Sequence, residues 1–395
     1  MEMNIDKAIE IARKENNPFY LFDFDIFEAR IRRIEEGLKG SAKVCYAMKA
    51  NPFLTGVAAR VLDRIEVCSY GEYEICRDLK IPHEKLLISG VLKKKEDLAT
   101  IINETDARCI FTVESWNQFL QLKDAAKDRK INIIIRLTNK SQFGVNKEDI
   151  LEMIRESKNV EGLNVKGIHY FSGTQKKHPD KDKKELLMLD ELIKEIKELT
   201  GLDIEELEYG PGIPYSYFEG KDVLPMEDFL DTISSTINDM DFSGSVTIEL
   251  GRAIAAVSGC YCTRVLDVKK NIDTDYLMTD GGIHQLAYDG QIKGMYHPFM
   301  EVIRDHEDLD PEKVWTVCGS LCTMNDVLTA NIKLGDVRVG DALIFKNAGA
   351  YSFAEGMALF LSHELPDVYG YSVKEGLTVM RKDILTYPFN TVKRS

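Results

Sequence analysis

The amino-acid sequence predicts an α/β protein that consists of a (β/α)8 barrel followed by an antiparallel β domain. Eight short β-branched runs recur over the first two thirds of the chain, and each is followed by a segment with helical spacing of its apolar residues. These units occupy roughly 230 residues, close to the ~250 that are typical of such a barrel. After about Ser258 the alternation stops, and Gly and Asp join further β runs. A doubly wound open sheet is the main rival to the barrel.

The predicted barrel strands are residues 43–50, 64–69, 85–90, 108–114, 131–137, 165–172, 206–212 and 245–251. The clearest helix between them is residues 184–199, where Leu186, Leu189, Ile193 and Ile196 fall on one face. Capping boxes, formed by Ser69 with Glu72 and by Ser115 with Gln118, mark two helix starts. The predicted strands of the second domain are residues 261–268, 275–280, 314–318 and 342–346. We predict a barrel domain over 26–258 and a β domain over 259–395, which residues 1–25 join.

Composition narrows the class of protein. The 395 residues are 44% hydrophobic and 29% charged, enough for a large core and more than one domain. The formal charge of −14 disfavours binding to nucleic acid or to anionic lipid. Residues 1–14 have no apolar core of a signal peptide, and no run reaches the ~20 residues of a membrane span, so we expect a cytoplasmic protein. The eight cysteines fit reduced, buried residues, and Cys260 and Cys262 lack the spacing of zinc ligands, so we expect no metal.

Polar residues gather where four predicted strands end, which is where a (β/α)8 barrel places its active site. Each of these residues has an ordinary structural explanation when taken alone: a surface lysine, a packed histidine, a tight turn or a surface ion pair. Together they supply an amine that can form a Schiff base, a flat ring, a turn that can approach a phosphate, and an acid. The residues are Lys49, then His169 and Ser172, then Gly210 and Gly212 in Gly-Pro-Gly, and finally Glu249, Gly251 and Arg252.

These motifs resemble the fold type III pyridoxal phosphate enzymes, which share an alanine racemase-like fold, and specifically the diaminopimelate, ornithine and arginine decarboxylase group. The resemblance runs from Phe19-Tyr20-Leu21-Phe22-Asp23, through Tyr46-Ala47-Met48-Lys49-Ala50-Asn51, to Gly349-Ala350-Tyr351. It implies that pyridoxal 5'-phosphate is the cofactor and that Lys49 forms a Schiff base with it. It also implies that His169 stacks on the pyridine ring and that Glu249 faces the pyridine nitrogen. The implied phosphate-binding residues are Ser172, the turn from Gly210 to Gly212, Gly251, Arg252 and Tyr351.

The segment Cys318-Gly-Ser-Leu-Cys322-Thr-Met-Asn-Asp326 resembles a family motif with which the second domain of a partner subunit completes the site. The resemblance therefore implies a homodimer, in which Cys322 lies beside the reacting carbon and Thr323 and Asp326 lie near the substrate. An acid at Glu249 keeps the pyridine nitrogen protonated, which favours a quinonoid and hence decarboxylation of an amino acid. Two alternatives remain open at this point: an amino-acid racemase of the same fold, and a catalytically silent regulatory homologue.

Three departures from the family pattern matter, and the first of them puts lysine, ornithine and diaminopimelate in doubt as substrates. Thr323 replaces the acid that grips the distal ammonium in diamine-forming relatives, Gln142 stands where Lys is common, and Gly-Pro-Gly and Gly-Ser-Leu-Cys replace the commoner turns. With residues 169–175 and 360–363, these features resemble the branch that acts on carrier-protein-linked glutamate or on siderophore intermediates. A basic segment, residues 176–184, is a candidate surface for an acidic carrier protein, although a solvated helix start is the simpler interpretation.

Overall fold

The computed structural model describes residue 3 and residues 5–392. Contacts divide the chain into two compact units. The first, here called the barrel unit, consists of Arg30–Pro214 and Leu224–Ala253. The second, the sheet unit, consists of Met1–Ala29, Tyr215–Val223 and Ile254–Ser395. Among the described residues, no helix is both long and apolar enough to cross a membrane.

The secondary structure follows in chain order. The strands are β1 Phe19–Asp23, β2 Lys43–Ala47, β3 Arg64–Val67, β4 Leu86–Ile88, β5 Ile110–Val113, β6 Ile131–Arg136, β7 Leu163–Phe171, β8 Glu206–Gly210, β9 Ser245–Leu250, β10 Gly259–Asn271, β11 Thr274–Thr279, β12 Met300–Ile303, β13 Val314–Cys318, β14 Val327–Lys333, β15 Ala342–Phe345, β16 Asp367–Ser372 and β17 Gly376–Arg381. The helices are α1 Asp6–Ala12, α2 Phe24–Leu38, α3 Thr55–Val61, α4 Tyr70–Asp78, α5 Lys95–Thr105, α6 Trp116–Ala125, α7 Lys147–Ser157, α8 Asp180–Thr200, α9 Met226–Asp239, α10 Arg252–Ala255 and α11 Tyr387–Asn390. Short 3-10 turns occur at Met48–Ala50, Pro52–Leu54, His83–Lys85, Ala256–Ser258 and Phe360–Ser362.

Strands β2 to β9 form a closed barrel in which every neighbouring pair is parallel. Closure comes from β2 and β9, with Cys45 opposite Glu249. The eight predicted strands are confirmed, and the open-sheet rival is excluded. The strands are shorter than predicted at their carboxyl ends, however. The first ends at Ala47 rather than Ala50, because the chain turns there into a 3-10 turn.

The apolar helix face and the two serine caps that the sequence predicts are present in the helices around the barrel. The four apolar residues of the α8 face, Leu186, Leu189, Ile193 and Ile196, are all buried. Both capping serines accept a backbone N–H, with Ser69 Oγ 3.1 Å from the Glu72 nitrogen and Ser115 Oγ 3.2 Å from the Gln118 nitrogen. The side-chain oxygens of Glu72 and Gln118 accept hydrogen bonds in turn. Their donors are the N–H groups of the residues before each serine, Cys68 and Glu114, rather than those of the serines themselves.

Among the described residues, the sheet unit contains nine strands. Seven of them follow the order β14-β13-β11-β10-β1-β16-β17, and the other two, β12 and β15, pair with each other, with β15 also pairing β10. Most pairs are antiparallel, as predicted, but β1 with β16 and β11 with β13 are parallel. Strand β1, near the start of the chain, lies between β10 and β16. The unit also takes in residues 215–223, where Tyr215 Oη bonds Asn347 Oδ1 at 3.0 Å. All eight cysteines are free thiols.

Candidate active site

A short turn at the carboxyl end of β2 presents Lys49. The strand ends at Ala47, and Lys49 is the middle residue of the turn Met48–Ala50. Asn51 fixes the next turn, because its Oδ1 accepts the Phe53 N–H at 3.0 Å. The Tyr46 hydroxyl, buried inside the barrel unit, donates to the Asn51 carbonyl oxygen at 2.9 Å. Hydrogen bonds of Tyr46, before Lys49, and of Asn51, after it, therefore fix the backbone that carries the lysine.

Carboxylates surround the Lys49 amine. Lys49 Nζ lies 2.7 Å from Glu66 Oε2 and 3.5 Å from Glu249 Oε1, and the two glutamate side chains are 1% and 6% exposed. Cys68 Sγ is 3.7 Å from the same nitrogen. The Lys49 side chain is 40% exposed, and the carboxylates beside it favour its ammonium form. Sequence reasoning missed Glu66, although a carboxylate in the middle of the apolar run from Ile65 to Val67 was a signal for it.

His169 and Glu249 form a buried pair. His169, on β7, places Nε2 3.1 Å from Glu249 Oε2 on β9, and its side chain is 1% exposed. Burial alone would raise the pKa of Glu249, but the Lys49 charge and the His169 hydrogen bond outweigh it and hold that pKa well below its usual range. In the part of the chain that the structure describes, His169 Nδ1 is buried without a hydrogen-bond partner. Nδ1 of His169 is therefore available for a further hydrogen bond inside the barrel unit.

Two glycine turns lie close together beyond β7 and β8. Gly212 has φ +66°, and a Cβ there would stand 2.0 Å from the Gly173 carbonyl oxygen. A Cβ at Gly210 would stand 2.4 Å from the Phe171 ring. Gly212 therefore requires glycine, whereas a larger residue at position 210 would have to displace the Phe171 ring. The backbone that both glycines leave bare can approach an anion. Ser172 precedes Gly173 on the first of these turns.

The last phosphate-binding candidates of the barrel unit follow β9. That strand ends at Leu250, Gly251 comes next, and Arg252 is the first residue of α10. The Arg252 residue is 9% exposed. A guanidinium held at that position can offer several N–H donors to one phosphate.

Two further buried cations lie in the barrel unit and escaped sequence analysis. Arg136 Nη1 bonds Glu114 Oε2 at 3.2 Å, with side chains 8% and 0% exposed. Lys93 Nζ donates to the Gly90 carbonyl at 2.9 Å, to Thr112 Oγ1 at 3.2 Å and to Gln118 Oε1 at 3.0 Å. Burial lowers the pKa of Lys93 to about 8. Neither cation ends a predicted strand within a recognisable motif, so the sequence alone gave no reason to choose them.

The remaining predicted site residues lie in the sheet unit. Cys322 is exposed, and the Thr323 hydroxyl accepts the Asn325 N–H at 3.3 Å. Asp326 is buried, and its two oxygens accept the N–H groups of Ile283 at 2.8 Å and Leu321 at 2.7 Å. What Asp326 does in this structure is to hold its loop, so its predicted contact with substrate stays a prediction. Tyr351 has φ +64° and begins a turn, its carbonyl oxygen accepting from Ala354.

The predicted basic surface at residues 176–184 is wrong in one respect. Lys176 is not solvated: its side chain is 3% exposed and pairs with Asp182 and Glu185 at 2.7 Å each. Among the described residues, no group of three or more His, Cys, Asp or Glu side chains could hold a metal ion.

The barrel unit fits pyridoxal phosphate. It offers an amine on a fixed turn, a buried imidazole with one unpaired nitrogen within the described residues, and two bare glycine turns. An aldehyde, a flat aromatic ring and a phosphate are the groups that these features suit.

Comparison with known proteins agrees with this fit. The chain is 27% identical to the L-glutamyl-[BtrI acyl-carrier protein] decarboxylase of Niallia circulans, over 92% of this chain and 91% of the relative. It is 25% identical to the diaminopimelate decarboxylase of Methanocaldococcus jannaschii, over 88% of this chain and 84% of that one. It is 24% identical to the 2-[(L-alanin-3-ylcarbamoyl)methyl]-2-hydroxybutanedioate decarboxylase of Staphylococcus aureus, over 94% and 99%.

Solved structures and a family model agree with these sequence relatives. The crystal structure of the M. jannaschii diaminopimelate decarboxylase superposes with a TM-score of 0.83 at 25% identity, covering 95% of this chain and 91% of that one. The lysine/ornithine decarboxylase of Vibrio vulnificus shares the fold, with a TM-score of 0.81 at 20% identity over 93% and 98%. The family model described as "Pyridoxal-dependent decarboxylase, C-terminal sheet domain" matches residues 19–349. The chain therefore belongs to the pyridoxal-dependent decarboxylases, enzymes whose cofactor is pyridoxal phosphate.

Proposed function

We propose that this chain removes the α-carboxylate of an amino acid or of an amino-acid-derived intermediate as carbon dioxide, with Lys49 holding the cofactor. The observation that carries this proposal is the position of Lys49 Nζ, 2.7 Å from Glu66 and 3.5 Å from Glu249, just beyond a strand of a closed parallel barrel. Pyridoxal phosphate, when bound, supplies an electron-poor ring that accepts the electron pair of the broken carbon–carbon bond.

The chain's own residues would bind and orient that cofactor. Lys49 binds its aldehyde carbon through Nζ, and Glu249 holds a proton at its pyridine nitrogen. His169 supports one face of its ring. We assign the phosphate to Ser172, Gly210, Gly212, Gly251, Arg252 and Tyr351. The low pKa of Glu249 supports this assignment, because an ionised carboxylate is the partner that a protonated ring nitrogen needs.

We further propose a homodimer in which Cys322 of each subunit donates a proton to the substrate carbon in the site of the other. The exposure of Cys322 supports this role, because an exposed thiol is accessible to a second chain. Mixing inactive Lys49→Ala with inactive Cys322→Ala subunits should then restore part of the activity through hybrid dimers. Absence of recovery after verified subunit exchange would place both residues in the site of one chain.

The substrate we propose carries an amide, a thioester or a carboxylate at its far end. Thr323 supports this choice, because a neutral hydroxyl cannot neutralise a distal ammonium. Two of the relatives are named for substrates of that kind: a glutamyl group on an acyl-carrier protein and a hydroxybutanedioate amide.

Borohydride reduction tests the assignment of Lys49. The protein should be yellow after reconstitution with pyridoxal phosphate, and reduction followed by peptide mapping should place the label on Lys49. Carbon dioxide release from a panel of free and carrier-linked amino acids then identifies the substrate. A label on another lysine would contradict the site. Inversion of the α-carbon without carbon dioxide release would make the protein a racemase.

A further inference from the structure

Four buried polar side chains form a cluster behind the glycine turns of the barrel unit. Lys176 Nζ lies 2.7 Å from Asp182 Oδ1, 2.7 Å from Glu185 Oε2 and 3.1 Å from the Tyr209 hydroxyl oxygen. The same hydroxyl is 2.6 Å from Asp182 and 2.8 Å from Glu185. All four residues are at least 92% buried, with Glu185 the most exposed of them at 8% and Tyr209 at 0%. None of the four has a role in the proposed reaction.

The two acids of the cluster respond differently to burial. Burial raises the pKa of Asp182, whose Oδ2 has no hydrogen-bond partner among the described residues. Burial would raise the pKa of Glu185 as well, but its hydrogen bonds to Lys176 and to neighbouring hydroxyls lower it. The ammonium of Lys176 and the hydroxyl of Tyr209 each contact both acids, so loss of either group would leave a buried acid with fewer partners.

The cluster ties together three segments of backbone. Lys176 follows the turn of Ser172 and Gly173, and its N–H donates to the Gly212 carbonyl oxygen at 3.1 Å. Tyr209 comes directly before Gly210 at the end of β8. Asp182 and Glu185 lie in the first two turns of α8. A change in any of these bonds would therefore shift one glycine turn against the other.

We propose that Lys176, Asp182, Glu185 and Tyr209 position the two glycine turns for the cofactor phosphate. This inference rests on the proposed phosphate site. The four residues are positioning residues: the cluster acts through the backbone of Gly173, Gly210 and Gly212. Its loss should weaken binding of a phosphorylated ligand and leave the amine at Lys49 unaffected.

Tyr209→Phe is the main test, because it removes one oxygen and keeps the ring. We expect the dissociation constant of pyridoxal phosphate, measured by protein fluorescence, to rise about tenfold. The dissociation constant of pyridoxal, which lacks the phosphate, should stay within twofold. Glu198→Gln is the control, since Glu198 is an exposed acid on the same helix and should change neither constant.

A variant that lacks all the charges of the cluster separates a loss of stability from a loss of phosphate binding. Lys176→Met alone leaves a buried carboxylate without its cation and should lower the unfolding midpoint. The triple variant Lys176→Met, Asp182→Asn, Glu185→Gln removes all the charges together and should recover that midpoint while still binding pyridoxal phosphate weakly. Equal weakening of pyridoxal and pyridoxal phosphate, or no weakening of either, would overturn the inference. A parent protein that binds no pyridoxal phosphate would overturn the proposed function and this inference with it, and is recognised before any variant is made.

Discussion

The amine of Lys49 and the carboxylate of Glu66 are 2.7 Å apart, and Glu66 is nearly inaccessible to solvent. A buried carboxylate without a partner costs several kcal/mol, so Glu66 stabilises Lys49 as an ammonium and is stabilised in return. Capture of an aldehyde needs the neutral amine. If Lys49 binds the cofactor aldehyde as proposed, the pair would oppose that step while it keeps the lysine in place for it.

Glu66→Gln should for this reason speed cofactor capture. The amide keeps the size of the side chain but removes one of the two carboxylates beside the Lys49 amine, so the ammonium form loses part of its stabilisation. We expect the rate of pyridoxal phosphate binding in stopped-flow absorbance to rise about tenfold. The exposed acid Asp78 offers the matched control Asp78→Asn. An unchanged or slower rate would show that Glu66 does not set the charge of Lys49.

Glu249→Gln should separate binding from chemistry. The amide preserves the side-chain volume beside His169, so the cofactor should still bind to Lys49. It cannot hold a proton at the pyridine nitrogen as a carboxylate does, and carbon dioxide release should slow by about 100-fold or more, equivalent to about 3 kcal/mol of barrier. Single-turnover measurement with the best substrate gives the rate. Release at close to the parent rate would remove Glu249 from the proposed chemistry.

The sequence predicted those parts of the structure that depend on local patterns. The eight barrel strands are buried, β-branched runs, and Lys49, His169 and Glu249 follow or end such runs. Strands β1, β12, β14, β16 and β17 were not predicted. Strand β17 alternates little and is largely exposed, and β16 is defined by its pairing with β1, more than 340 residues earlier in the chain. Pairing over that separation leaves no local pattern.

Lys176 is a second case in which the local sequence does not predict the environment of a residue. In the sequence it belongs to a run of basic residues, which is typical of a solvated helix start. The acids that bury it, Asp182 and Glu185, are three residues apart and lie on the inner face of α8. Tyr209, from the next strand of the barrel, adds a hydroxyl to this group of buried partners. The three partners of Lys176 are thus six, nine and 33 residues away, and the local run of basic residues marks none of them.

Gly212 and Gly220 offer a matched pair of substitutions. Both have φ +66°, but a Cβ at Gly212 would meet the Gly173 carbonyl at 2.0 Å, whereas a Cβ at Gly220 has no atom within 4 Å. Replacement by alanine should cost about 1 to 2 kcal/mol of stability at Gly220 because of the left-handed backbone, and more at Gly212, where the Gly173 carbonyl must also move. Only Gly212→Ala should also weaken pyridoxal phosphate binding, by at least tenfold in a fluorescence titration. Equal affinities in the two variants would remove Gly212 from the phosphate site.

His284 should make the protein sensitive to acid. Its two ring nitrogens are buried without partners in the described part of the chain, and its ring lies 5.0 Å from that of His363. Burial, and then the charge of His363, lowers the pKa of His284 to about 4. In the unfolded chain the pKa is about 6.5, so the unfolded state binds more protons between these values. Stability should therefore fall as the pH drops from about 6.5 to 4, by up to about 3 kcal/mol.

The variant His284→Phe removes this titration and keeps an aromatic ring in the same space. Its unfolding midpoint in denaturant should change less between pH 7 and pH 5 than that of the parent protein. His178→Gln is the control, because His178 is exposed and its replacement should leave the pH dependence unchanged. Parallel pH profiles for the parent and His284→Phe would show that another group controls acid unfolding.

The neutral side chain of Thr323 leads us to expect slow turnover of substrates that end in an ammonium group. A distal ammonium that leaves water without a carboxylate partner loses a charge-assisted bond of about 1.5 to 3 kcal/mol. Free lysine, ornithine and diaminopimelate should consequently show kcat/KM values below the ~10⁴ M⁻¹s⁻¹ at the lower end of typical enzymes. The variant Thr323→Asp supplies the missing carboxylate and should raise kcat/KM for lysine and ornithine by about tenfold or more. It should lower kcat/KM for a substrate that ends in a carboxylate, because two like charges would then meet. Efficient turnover of lysine by the parent protein would show that another acid binds the ammonium. Asp326 could do so only by giving up its bonds to the Ile283 and Leu321 N–H groups.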